Sequence, residues 1–177
     1  MPKWNDLLIE TKISLFQLFA EEWPKSLYAF HIKIDPEFRK GISDAALVAQ
    51  MNKRVRSRLN SISDLAALHF FVVEAHSKKG EDVAPHLHGM VMVEDEDEAE
   101  AVRNAISKAA GQGFGGRPKL HKGSKGEFCY FEEGKSFPRY MLKHKDKGAS
   151  RFGRKPFIFS QKANRFTRDL YEFATQG

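Results

Sequence analysis

Residues 28–35, Y-A-F-H-I-K-I-D, alternate: Phe30, Ile32 and Ile34 fall on one side, His31, Lys33 and Asp35 on the other. That period of two is the mark of a strand with one face in a core. Before it, residues 5–22 read as a helix whose apolar stripe is Leu8, Leu15, Leu18 and Phe19. After it, Ser43-Asp44 offers an N-cap for a helix to about Ser61, with Val48, Met51, Val55, Leu59 and Ile62 at three/four spacing. Residues 68–76, L-H-F-F-V-V-E-A-H, read as a second strand, and S-K-K-G-E-D-V-A-P as a polar loop. A third strand holds His86 and His88 and runs to Val93. The acidic E-D-E-D-E that follows suits the positive end of a helix, which would bury Ala99, Val102, Ile106 and Ala109.

Beyond a glycine-rich turn the pattern predicts strands near 117–122 and 126–131 and a helix from about Phe137 to Lys147. A basic loop and a last helix from about Ser160 complete the chain. The order β-α-β-β-α-β predicts an α+β fold: a central antiparallel sheet with helices packed on a face, the split βαβ (ferredoxin/RRM-like) arrangement. No repeat, low-complexity tract or linker divides the 177 residues, and 41% are hydrophobic, with 15 Phe. A single domain over 1–177 is expected, with an N-terminal helix (about 5–22), a core (about 28–147) and a basic C-terminal segment (about 148–177).

Charge and cysteine content narrow the setting. Lys and Glu among the first apolar residues argue against a signal peptide or a membrane span. Cys129 is the one cysteine, which excludes an internal disulfide and any Cys-based zinc site and suits the reducing cytoplasm. The net charge is +6, but residues 117–168 carry 15 Lys/Arg against 4 Asp/Glu. Such concentration points to a polyanionic partner. Lys33, Arg139, Lys147, Arg151, Arg154, Lys155 and Arg165 are the candidate contacts. The run R-F-G-R-K-P-F-I-F-S-Q-K-A-N-R is either a single-strand track, where bases stack and phosphates pair, or a basic loop with its Phe residues in the core.

Residues 84–92 read A-P-H-L-H-G-M-V-M, two histidines one residue apart in an apolar run. On a strand His86 and His88 share a face, about 7 Å apart along the backbone, and can converge on one ion. Glu74 and His76 on the preceding strand also share a face. Glu74 completes a metal site with the histidine pair, or His76 does so in its place. A carboxylate with two imidazoles leaves open positions for substrate oxygens, and Mg²⁺ or Mn²⁺ suits such chemistry. His31, on the polar side of the first strand, is read as a surface residue. G-Q-G-F-G-G (111–116) follows a helix and lacks Lys-Ser/Thr in register, so it is read as a turn, not a phosphate loop, and no nucleotide cofactor is expected.

P-H-L-H-G-M-V resembles the metal motif of HUH endonucleases, notably rolling-circle replication initiators. V-V-E-A-H before it and F-H-I-K-I-D-P in the first strand resemble the flanking strands of that family. The resemblance spans most of residues 28–147 and implies a nucleophilic tyrosine in a Y-x-x-K helix. Of Tyr28, Tyr130, Tyr140 and Tyr171, only Tyr140 stands in that setting, F-P-R-Y-M-L-K, with Lys143 one helical turn on. The implied activity is metal-dependent nicking and rejoining of single-stranded DNA, or of an origin hairpin, through a 5′-phosphotyrosine at Tyr140. His86, His88 and Glu74 hold the metal and Lys143 supports the transition state; a host helicase and polymerase are implied partners. His144 stands four residues after Tyr140, which excludes a paired-tyrosine helix. A single-tyrosine transposase and a non-catalytic single-strand-binding module are the alternatives.

Overall fold

Three strands, β1 (Leu27–Lys33), β2 (His69–His76) and β3 (Asp82–Met92), position everything that follows. They form the centre of an antiparallel sheet in a computed structural model that describes residues 2–21, 27–76, 80–112, 129–130, 142, 145–153 and 155–176. Two short strands, β4 (Cys129–Tyr130) and β5 (Phe157–Phe159), extend it to the order β4-β1-β3-β2-β5, with every registered pair antiparallel. The class is α+β.

One face carries Phe30, Ile32, Phe71, Val73, Leu87 and Val91. It is covered by α3 (Asp44–Asn60), through Leu47, Met51, Val55 and Leu59, and by α4 (Glu96–Ala109), through Val102 and Ile106. Both helices start as the sequence implies: Ser43 Oγ accepts from the Ala46 amide at 3.3 Å, and Asp95 Oδ1 from that of Glu98 at 2.8 Å. Arg54 of α3 donates to the carbonyls of Ala109 and Lys108, both at 2.7 Å, satisfying the end of α4 and locking the two helices together. A short helix α2 (Pro36–Arg39) links β1 to α3.

Helices cover the other face too, which corrects the expectation of a single helical layer. There Leu27, Phe70, Val72, Met90 and Met92 pack against Ile13, Phe16 and Ala20 of α1 (Ile9–Glu21) and Ala163 of α6 (Gln161–Gln176). The cause is legible in β2 and β3: Phe70-Phe71-Val72-Val73 and Met90-Val91-Met92-Val93 are apolar on both sides, so both sides demand cover.

Three further expectations need correction, and one open alternative closes. The buried stripe of α1 is Ile13, Phe16 and Ala20, while Leu8 and Leu18 are 71% and 55% exposed. That segment is apolar on more than one side, so spacing alone does not choose the face. β3 starts at Asp82, inside the expected loop, because a bulge between Glu74 and His76 lets His76 pair with Asp82. The expected basic loop is partly the helix α5 (Lys145–Phe152). Phe157–Phe159 form β5 against Phe70–Val72, and Phe152 is buried, so these aromatic rings serve the core rather than a base-stacking track. The expected strand near 117–122, most of that near 126–131, and the segment holding Arg139, Tyr140 and Lys143 lie outside the described residues, as does Arg154.

Candidate metal centre

The central position of β3 builds the site. In the ladder His88 stands between His31 of β1 and Val72 of β2, and His86 between Lys33 and Glu74. Directly paired residues share a face, so these six side chains form a grid on the α1/α6 side of the sheet. Toward α1 and α6 the next row is apolar, Ala29, Met90 and Phe70. The polar grid therefore borders an apolar floor. Gly89 lies between His88 and Met90 and directs no side chain at the opposite face, where Phe30 takes the room.

His86, His88 and Glu74 are 7%, 7% and 3% exposed. Glu74 Oε2 lies 3.2 Å from His88 Nε2 and 3.5 Å from His86 Nε2. Burial pushes the Glu74 carboxyl up, yet the two imidazoles outweigh it and hold the group at about 2. Glu74 Oε1 is buried with no hydrogen-bond partner among the described residues. His86 Nδ1 is 3.0 Å from the Ala84 carbonyl, which can only accept, so Nδ1 carries the ring proton. In the neutral ring Nε2 then turns a lone pair toward a carboxylate oxygen. A positive charge, either a second ring proton or a metal ion, completes that pair.

His31 is where the sequence reading falls short. Its ring stacks on His88, centroids 4.3 Å apart and planes 11° apart, and meets His86 edge-on at 4.9 Å. The donor nitrogens of His31, His86 and His88 lie within 4.8 Å of one another, a group that could hold a metal ion. The signal was the alternation itself, which puts His31 on the polar side of β1. What the sequence could not show was that β1 pairs with β3 in the register His31↔His88.

Between the alternative third ligands the geometry is clear. Glu74 reaches the histidine pair, whereas His76 Nε2 lies 3.3 Å from Asp82 Oδ1. The basic candidates separate likewise. Lys33 is exposed at the corner of the grid. Lys155 and Arg165 are exposed, and Lys147 donates to the Gly80 carbonyl at 3.4 Å. Arg151 is engaged within the fold, its Nε 2.9 Å from Asp44 Oδ2 and its guanidinium 3.8 Å from Asp82. Leu142, two residues beyond Tyr140, is buried in the same apolar cluster as Val72 and Met90, the neighbours of His88 on this face. Among the described residues, no helix is long and apolar enough to cross a membrane.

A scan against protein-family models, a search of curated proteins and a search of solved structures each find no match.

Proposed function

We propose that this chain is a metal-dependent, single-tyrosine endonuclease of the HUH type that nicks and rejoins single-stranded DNA, as an initiator of rolling-circle replication does. One observation carries the reading: Glu74 from β2 closes on His86 and His88 of β3, the pair in the P-H-L-H-G motif. The connectivity β-α-β-β-α-β, with β4-β1-β3-β2 as neighbours, supports the split βαβ fold that the resemblance implies.

A divalent ion at this centre supplies Lewis acidity toward the scissile phosphate. The residues do the rest. The ladder sets His86 and His88 on the central strand with Glu74 beside them on β2, next to an apolar row. Lys33, exposed at the corner, meets the phosphate backbone. Tyr140 attacks phosphorus through its phenol oxygen; the bond from phosphorus to the 3′ oxygen breaks, and that oxygen leaves as a hydroxyl with the phenolic proton. The 5′ phosphate stays on Tyr140, and reversal rejoins the strand. Lys143 favours the phenolate.

The test is a covalent adduct. Incubated with Mn²⁺ and single-stranded origin oligonucleotides, the protein should yield a species that survives a denaturing gel. Tyr140→Phe should abolish it, and so should the double change His86→Ala, His88→Ala. An adduct that persists in Tyr140→Phe removes the tyrosine; salt-sensitive DNA binding with no adduct and no metal effect leaves a binding module.

A further inference from the structure

The sequence points to a centre with three protein donors, two imidazoles and one carboxylate, and to Mg²⁺ or Mn²⁺. The grid holds more than that. His88 and His86 are flanked on both sides, by Glu74 from β2 and by His31 from β1. We propose that the ion is gripped from both flanking strands at once, by His31, His86, His88 and Glu74, and that this nitrogen-rich set selects transition metals and discriminates against Mg²⁺. The proposal rests on the metal site described above and names the ion it takes.

The distances argue for it. Around an ion with bonds of about 2.1 Å, two tetrahedral ligands lie about 3.4 Å apart. Glu74 Oε2 stands 3.2 and 3.5 Å from the two Nε2 atoms of β3, which is that edge length. The three histidine donors lie within 4.8 Å of one another, a group that could hold a metal ion. Donor chemistry sets the selectivity: imidazole nitrogen suits Zn²⁺, Co²⁺ and Ni²⁺, whereas Mg²⁺ demands oxygen and keeps its waters. Three neutral imidazoles add no charge, so one carboxylate on a divalent ion would leave a net positive centre, and a phosphate oxygen would join as a fifth ligand.

The experiment uses the full chain, stripped by chelator and without DNA. Co²⁺ is titrated in and followed by its visible ligand-field absorption; Zn²⁺ and then Mg²⁺ are added as competitors. Zn²⁺ should displace Co²⁺, while Mg²⁺ in roughly hundredfold excess should not. His31→Ala and His31→Gln should each weaken Co²⁺ binding by more than about tenfold, the scale on which even outer partners of a metal site act. Thermal melts of the stripped variants show that they fold. Unchanged affinity in the folded His31 variants, or Mg²⁺ displacing Co²⁺ at roughly hundredfold excess or less, overturns the proposal. If His31→Ala does not fold, the Gln variant and the Mg²⁺ competition decide. A chain that binds Co²⁺ through His31 yet forms no DNA adduct defeats the nickase reading and leaves this one standing.

Discussion

Phe30 lies across Gly89: a Cβ built on the glycine would come within 2.2 and 2.5 Å of the phenyl ring and 2.5 Å of the Phe70 carbonyl oxygen. The ring could rotate away, but the carbonyl belongs to the ladder between β2 and β3. Gly89→Ala must therefore move a central strand. The expected loss is about 2 kcal/mol, read as a lower denaturant midpoint at unchanged slope. Since His88 adjoins Gly89, metal affinity should fall with it. An alanine variant as stable as the parent contradicts this packing.

His69 is buried at the start of β2, with Nδ1 3.3 Å from the Ala66 carbonyl. Burial pushes its imidazole down to about 4, against the pull of the Ala66 and Ala67 carbonyls. In the unfolded chain the group titrates near 6.5. The unfolded state therefore takes up a proton first as pH falls. Stability is full above about 6.5 and drains away down to about 4, by roughly 3 kcal/mol in all. His69→Leu should flatten that part of the pH dependence. Equal losses in parent and variant between pH 7 and 4.5, by chemical denaturation, would refute it.

Ser160 ties the last helix to the sheet. Its hydroxyl donates to the Ala67 carbonyl at 2.7 Å and accepts from the amides of Ala163 at 3.1 Å and His69 at 3.3 Å. Ser160→Ala strands a buried carbonyl and removes the cap of α6. A cost of about 1–2 kcal/mol is expected, measured by thermal or denaturant unfolding.

Lys33 and Arg151 should part company in a DNA-binding assay. Lys33→Ala is expected to weaken single-strand affinity and to reduce the salt slope by about 0.7, one phosphate contact. Arg151→Ala should leave that slope alone. Burial pushes the Asp44 carboxyl up, but Arg151 and Arg39 hold it below its ordinary value, so this change costs about 0.5–1 kcal/mol of stability instead. Identical salt slopes in parent and Lys33→Ala would remove Lys33 from the interface.

Local chemistry was legible wherever one segment decides the outcome. Ser43 and the acidic turn mark their helices because capping needs only the next three residues. The alternation of 28–35 separates Phe30 and Ile32 from His31 and Lys33 for the same reason. Legibility ended where two segments must meet. Whether Glu74 or His76 faces the histidine pair depends on a bulge that no residue type announces. His31 joins the centre only through its pairing with β3. Phe157–Phe159 look like loop aromatics until the exposed edge of β2 is seen to take them.

The four proposed donors, His31, Glu74, His86 and His88, lie on three neighbouring strands whose order in space, β1-β3-β2, is not their order in the chain. A cation seated there acts as a rivet through the middle of the molecule. No excised hairpin carries the whole set, so loading the ion would report that β1, β3 and β2 have assembled. Capture of an ion by the proposed set then requires β1, β2 and β3 in register, which a fragment lacking β1 does not supply.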